Sequence, residues 1–248
     1  MAPKTILITG ASSGIGAALA RSYAREGVTL LLWGRSEVRL EQVAAQCRAL
    51  GAVAQTQMFD LRDAAGFAAR LTDIASTTDL AIFNAGLGGS VPDGALAESP
   101  QSVQAVAEVN FVAPLVGASV MAEAMARRGA GHIVLVGSIA ESFPLPMAPT
   151  YAATKAGLRM FAQSLDMRMA KHGVAVTLVS PGFINTPMSQ QVTEPKPFLM
   201  DADTAAKIIA RGIADRARTI VVPWQFRVIR GLAALVPHAL LRLILSRV

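Results

Sequence analysis

Short apolar runs alternate with segments of helical periodicity along nearly the whole chain, and that alternation restricts its fold more than any other feature. Lys4–Thr9 is an apolar run of strand length, and Gly14–Arg25 then spaces its apolar residues for one helix face. Val28–Trp33 reads again as strand, and Ser36–Leu50 as helix with Ser36 placed to cap it. Further strands are expected at Val53–Phe59, Leu80–Phe83, His132–Val136, Val174–Val179 and Thr219–Val222. The helices between them are Asp63–Ile74, most of Pro100–Arg128, Thr150–Lys171 and Thr204–Arg216. A strand that is apolar at successive positions must be buried on both faces, which calls for a parallel sheet covered by helices on either side. Right-handed crossovers make the expected fold α/β, a Rossmann-like doubly wound parallel sheet of about seven strands with helices on both faces, ending in an apolar, basic helical tail. No repeat or linker marks a second domain, so residues 1–248 are read as one, with 224–248 as its C-terminal extension. Pro181–Asp203, with four prolines and weak periodicity, reads as a long loop of the kind that covers active sites.

The first strand runs directly into Thr9-Gly10-Ala11-Ser12-Ser13-Gly14-Ile15-Gly16. Glycines at such a turn let backbone N–H groups approach a pyrophosphate at the N-terminus of the next helix. The spacing is not that of G-x-G-x-x-G; it resembles the T-G-x-x-x-G-x-G turn of the short-chain dehydrogenase/reductase family. At the end of the second strand, Leu32-Trp33-Gly34-Arg35 has no acidic residue to meet the ribose hydroxyls of NAD. Arg35 instead offers a planar cationic fork suited to a 2′-phosphate, with Ser12 or Ser13 as a further donor, so NADP(H) is expected over NAD(H). The resemblance implies that Asp60 and Leu61, after the third strand, lie near the adenine. It likewise implies that Asn84-Ala85-Gly86, after the fourth, form the family's N-A-G turn beside the cofactor. Pro181-Gly182 opens a similar P-G turn, from which Ile184 would meet the carboxamide through its backbone and Thr186 through its hydroxyl.

Tyr151 and Lys155 are four residues apart in a helical segment and so share a face. A tyrosine ordinarily titrates near pH 10 and is a poor base at neutrality; a neighbouring ammonium stabilises its phenolate. Ser138, at the end of the fifth strand, can donate to an oxygen on which charge develops. The family resemblance, which spans about residues 4–223, implies the rest. Tyr151 is the acid/base of carbonyl–alcohol interconversion, Lys155 also holds the nicotinamide ribose, and Asn110 holds a relay water. A protein that binds NADP(H) without catalysis, as a sensor or scaffold, is the second reading; intact Ser138, Tyr151 and Lys155 oppose it. Phe143, Leu145 and Met147, with Phe198 and Leu199 from the covering loop, are expected to line a pocket for a small hydrophobic ketone, aldehyde or alcohol. No metal is expected, because His132, His172 and His238 lack ligand spacing.

The formal net charge of +6 is unevenly placed: after residue 203 the chain carries eight Lys/Arg and one acidic residue. This basic segment is apolar rather than polar, which argues against nucleic acid. Trp224, Phe226, Val228, Ile229 and Leu232 precede Pro237, and Leu240, Leu241, Leu243, Ile244 and Leu245 follow it, both sets edged by arginines. Two readings stay open: peripheral contact with a membrane through residues 224–248, or packing on the chain's own domain or across an oligomer interface. The resemblance implies a homodimer or homotetramer formed through the long helices after the fourth and fifth strands. A lone cysteine, Cys47, the lack of a secretory pattern and the lack of an uninterrupted apolar run near the ~18–20 residues that span a bilayer are read as cytoplasmic.

Overall fold

Ile6, Leu7 and Ile8 have no exposed surface, and strand pleating sends Leu7 to one face of a sheet and its neighbours to the other. The computed structural model, which describes residues 2–193 and 195–233, places this strand, β1 (Thr5–Thr9), inside a parallel sheet. After β1 come α1 (Gly14–Tyr23), β2 (Thr29–Gly34), α2 (Glu37–Ala49), β3 (Val53–Met58), α3 (Ala64–Ala75) and β4 (Leu80–Phe83). A helix of α4 (Pro100–Ala107), a π turn at Glu108–Val112 and α5 (Ala113–Arg128) lead to β5 (Gly131–Val136). A 3₁₀ turn at Ile139–Ser142, α6 (Pro149–Met169) and β6 (Val174–Pro181) follow. The remainder is β7 (Ile184–Asn185), α7 (Pro187–Gln190), β8 (Met200–Asp201), α8 (Ala202–Ala214), β9 (Thr219–Val222) and α9 (Gln225–Ala233).

The seven-stranded sheet has the order β3-β2-β1-β4-β5-β6-β9, with all neighbours parallel. Ile6, Ile8, Leu30, Leu32 and Val134 meet Leu19, Leu40 and Ile209 on the face covered by α1, α2 and α8. Leu7, Leu31, Trp33, Phe83 and Leu135 meet Phe67, Met121 and Leu158 on the face covered by α3, α5 and α6. The order reverses between β1 and β4, and the crevice that opens at the carboxyl ends of these strands is where open α/β sheets bind ligands.

Two segments differ from the reading of the sequence. Pro181–Asp203 is not one loop: β7 and β8 pair in parallel, and Thr186 caps α7 reciprocally with Ser189. Two-residue strands and a four-residue helix are too short to leave a periodic signal. The helix Pro100–Arg128 is long and apolar enough, by length and composition, to cross a membrane, and half of its apolar stretch is buried within the fold. It packs on α3 and the sheet, as a core helix does. In the tail, Phe226 is buried and Arg230 pairs with Glu141, so the first turns of α9 pack on the chain's own body while Trp224 and Val228 are exposed. The part of the tail reading that concerns residues 234–248 lies outside the described residues.

Candidate active site

The glycine turn is held by close backbone packing. Gly10 has φ +67°, a region that favours glycine, and a Cβ there would stand 2.7 Å from the Ala85 Cα. A Cβ on Gly16 would collide with the Gly10 carbonyl oxygen and lie 2.5 Å from the Asn84 Nδ2. The Asn84 amide donates to the carbonyls of Thr9 (3.1 Å) and Gly10 (3.3 Å). Buried Thr9 accepts on its hydroxyl from the backbone N–H groups of Asn84 (3.1 Å) and Ala85 (3.2 Å). The turns after β1 and β4 are thus one unit. Thr9 is the residue the sequence reading passed over, because it was seen as the last residue of a strand and not as the post of a turn 75 positions away. The resulting glycine turn, with the N-terminus of α1 at its floor, fits a dinucleotide pyrophosphate. Thr186 lies against Gly14, bringing the segment after β6 over the same turn. Its hydroxyl accepts from the Ser189 N–H at 3.2 Å, a capping role the sequence reading had not assigned it.

At the outer end of the crevice Arg35 is exposed, and the Ser12 hydroxyl lies beside Gly34. The Asp60 carboxylate is clamped by Arg62, whose Nε reaches its two oxygens at 3.1 and 3.0 Å. Those hydrogen bonds, with the more distant Arg35, hold Asp60 below the usual carboxylate range. Arg62 is thus a second guanidinium at this end, with its charge paired to Asp60. Ser13, N-cap of α1 by position, makes no side-chain cap, and Ser36 caps α2 as expected.

The chemical end is built from buried charge. Tyr151 and Lys155 occupy the first two turns of α6, with the Lys155 Nζ 5.7 Å from the centre of the Tyr151 ring. Lys155 is buried and donates to the Val136 carbonyl at 3.0 Å, at the end of β5. Burial pushes its pKa down to about 8, against the pull of the Glu141 carboxylate, which favours the charged form. Burial pushes the Tyr151 phenol up; the neighbouring Ser138 hydroxyl works against that, and Glu141 adds to it. For the protein by itself the phenol stays protonated at neutral pH, and the Lys155 ammonium gives one of its donors to a main-chain carbonyl. The Ser138 hydroxyl also caps the 3₁₀ turn, accepting from the Ala140 N–H at 3.2 Å.

Asn110 sits in the π turn, fully buried. Its Oδ1 accepts from the Leu87 N–H (2.7 Å) and its Nδ2 donates to the Leu87 carbonyl (2.8 Å), so its side chain secures the irregular segment after Gly86. A Cβ on Gly86 would be 3.3 Å from the Asn110 Oδ1 and 3.7 Å from the Lys155 Nζ, which brings these three positions together. A π turn takes backbone groups out of helical register, as is frequent at functional sites.

The five residues read as a substrate pocket do not gather in one place. Phe143 and Leu145 line an open groove of about 500 Å³ with Pro149, Ala152, Ala153 and Ala156, on a flank that includes neither Tyr151 nor Ser138. Met147 is exposed, and its carbonyl accepts from the Val91 N–H at 2.8 Å. Phe198 and Leu199 are half exposed on the other side, where the Phe198 ring stands edge-on to Phe226 at 5.8 Å. Loop side chains of this kind are positioned by partners distant in sequence, which a local pattern does not encode. Among the described residues no cluster of His, Cys, Asp and Glu could hold a metal ion.

The sequence model of the short chain dehydrogenases matches residues 4–197. The chain belongs to the short-chain dehydrogenase/reductase family. It is 31% identical, over 97% of its own length and 95% of the relative's, to an oxidoreductase of Myxococcus xanthus. A short-chain dehydrogenase from Sphingobium yanoikuyae in complex with NADPH superposes with a TM-score of 0.82 at 28% identity, covering 95% of this chain and 97% of that one. A bulky-bulky ketone specific alcohol dehydrogenase from Comamonas testosteroni gives 0.78 at 28% identity, covering 95% and 96%. As a short-chain dehydrogenase/reductase, the protein is an oxidoreductase of the CH–OH/C=O pair that works on a small substrate with a nicotinamide cofactor.

Proposed function

We propose that this reductase interconverts a hydrophobic ketone or aldehyde and its alcohol, using NADP(H) and Tyr151 as the proton donor and acceptor. The carrying observation is the meeting of Ser138, Tyr151 and Lys155 at the carboxyl end of β5, across the sheet reversal from the glycine turn. When bound, the dinucleotide supplies the hydride that the carbonyl carbon receives and accepts it in the reverse direction. Gly10, Ser12, Ser13, Gly14, Ile15 and Gly16 would hold its pyrophosphate. Arg35 would meet the 2′-phosphate, and Asp60 and Leu61 would border the adenine. Asn84, Ala85 and Gly86, with Pro181, Gly182, Ile184 and Thr186, would flank the nicotinamide.

The residues' part in reduction follows from their protonation. Ser138 donates a hydrogen bond to the carbonyl oxygen as negative charge grows there. Tyr151, kept as a phenol by burial, transfers its proton to that oxygen. Lys155, still largely charged at neutral pH, then stabilises the phenolate until Tyr151 recovers a proton from solvent. In the oxidative direction Tyr151 must begin as phenolate, so oxidation rises with pH and reduction falls. NADP(H) is favoured by the two guanidinium groups of Arg35 and Arg62 at the outer end, and by the NADPH that the Sphingobium relative holds. The apolar substrate class is supported by the bulky-bulky ketone specificity of the Comamonas relative. Exposed Val103, Val112 and Met160 on α4–α6 and the preceding π turn support association of copies, and the lone, buried Cys47 supports a cytoplasmic setting.

The test is Tyr151→Phe, assayed by NADPH oxidation over a graded series of carbonyl compounds. Turnover is expected to fall about 10²–10⁴-fold while NADPH binding, followed by fluorescence, is kept. Undiminished turnover would sink the assignment.

A further inference from the structure

The 3₁₀ turn that carries Ser138 also buries an acid. The Glu141 side chain has no exposed surface, and nothing in the reaction described above uses it. Its Oε1 accepts from the Ser180 hydroxyl at 2.8 Å, at the end of β6, and pairs with the Arg230 guanidinium of α9 at 3.2 Å. Its Oε2 is buried without a hydrogen-bond partner among the described residues. That oxygen presses on the main chain next to Ser138: a Cβ on Gly137 would be 2.7 Å from it. A carboxylate costs several kcal/mol to bury unless it is paired, so its place here needs a cause.

The groups facing Glu141 define that cause. From α6 it faces Tyr151, Lys155 and the guanidinium of Arg159; from α9 it faces Arg230; from β6 only the hydroxyl of Ser180. Its negative charge bears on both Tyr151 and Lys155, and a cation from the C-terminal helix bears on Glu141 in turn. The same helix fixes the other flank. Phe226 packs on Phe183 at 6.2 Å and Phe198 at 5.8 Å and closes over Gly182. One helix thus touches both the turn of Ser138 and the segment after β6.

We propose that Glu141 and Arg230 form a positioning pair through which α9 sets the electrostatics of the chemical end, Glu141 supplying the negative charge that Tyr151 and Lys155 feel and Arg230 keeping that buried carboxylate ionised. The pair acts through other residues and touches no reacting atom. It rests on the reductase reading for its consequence in turnover, but its electrostatic core is tested without turnover.

The experiment uses the full chain with labelled lysine, of which there are five, and follows the Lys155 side-chain NMR resonance against pH, assigned by its loss in Lys155→Met. The wild-type midpoint is expected near the value of about 8 that burial imposes. Glu141→Gln should lower it by about half to one pH unit, and Arg230→Gln should lower it by less, because the buried carboxylate loses the cation that keeps it ionised. Arg230→Lys should restore the wild-type midpoint, and Arg230→Gln should have no effect in the Glu141→Gln background, since its influence passes through that carboxylate. Should Glu141→Gln not fold, the Arg230 variants carry the test at a partly exposed position. The acid–base limb of NADPH-linked turnover should move in the same senses. Midpoints that stay put, rise, or respond to Arg230→Gln after Glu141 is gone would overturn the pair. Shifted midpoints in a chain that reduces no carbonyl compound would instead keep the pair and remove the reductase reading.

Discussion

The two ends of the crevice are specified by different forces. At the glycine turn the constraint is steric: Gly10, Gly16, Asn84 and Ala85 are so close that a single added carbon has no room, and the hydrogen bonds are between main chain and neutral side chains. At the Tyr151 end the constraint is electrostatic: Lys155, Glu141 and Arg230 are charges taken partly or wholly out of water, and what each does depends on the other two. A steric end is robust to pH and intolerant of volume. An electrostatic end tolerates isosteric change in shape but responds to any change in charge or pH. The contrast also explains why Arg35, exposed and outside the ion pair that Arg62 makes with Asp60, is the part most open to change of cofactor preference.

The largest effect that would sharpen this contrast is expected from Gly16→Val. Its side chain must displace the Gly10 carbonyl or Asn84, costing about 3 kcal/mol or more, and NADPH binding should be lost at every pH; thermal unfolding with and without NADPH checks both. A variant that binds NADPH normally would show the steric end to be softer than its packing implies.

Next in size, and opposite in sign, is Lys155→Met. A lysine held at about 8 when folded binds fewer protons than in the unfolded chain between about pH 8 and 10.5, so its contribution to stability grows as pH rises through that window and is lost as pH falls to 8. At neutral pH the buried ammonium is therefore a burden. Removing it should stabilise the fold by on the order of 2 kcal/mol, the relief of desolvation less the hydrogen bond to Val136. Turnover should be lost at the same time. Denaturant unfolding at pH 7 and pH 10 reads this directly: the gain should be present at 7 and shrink at 10. Destabilisation at pH 7 would mean that the chemical end is held by the lysine rather than strained by it.

The smallest change is at the outer end. Arg35→Glu should leave folding intact and move the ratio of NADPH to NADH efficiency by about tenfold or more toward NADH, roughly the worth of one charge-assisted contact. Parallel titrations with the two cofactors measure it, and an unchanged ratio would transfer the role to Arg62.

Much of this molecule could be read before any coordinates. The parallel sheet follows from runs such as Thr5-Ile6-Leu7-Ile8 and Val174–Val179, because a stretch apolar on both sides of its pleat has nowhere to go but between two helical layers. The glycine turn and the Tyr151/Lys155 spacing are local patterns and were legible for the same reason: the residues that act together lie within one turn or one helix. Where partners are remote, the reading stopped short. Thr9 was seen as strand and Asn110 as a helix residue, yet their partners are at positions 84, 85 and 87. Phe143 and Phe198 were placed in one pocket, and the structure sets Phe143 in a groove beside α6 and Phe198 against Phe226 of α9.

The amino-acid order by itself thus determined the layers, the strand ends and which phenol and amine would share a helix face, since periodicity and short spacing are conserved on folding. Only the tertiary structure decided what charge those groups feel. Glu141 is an unremarked acid in a loop until β6 brings Ser180 to one side of it and α9 brings Arg230 to the other. Burial and Coulomb interaction depend on distance through space, and a linear sequence carries no such distance.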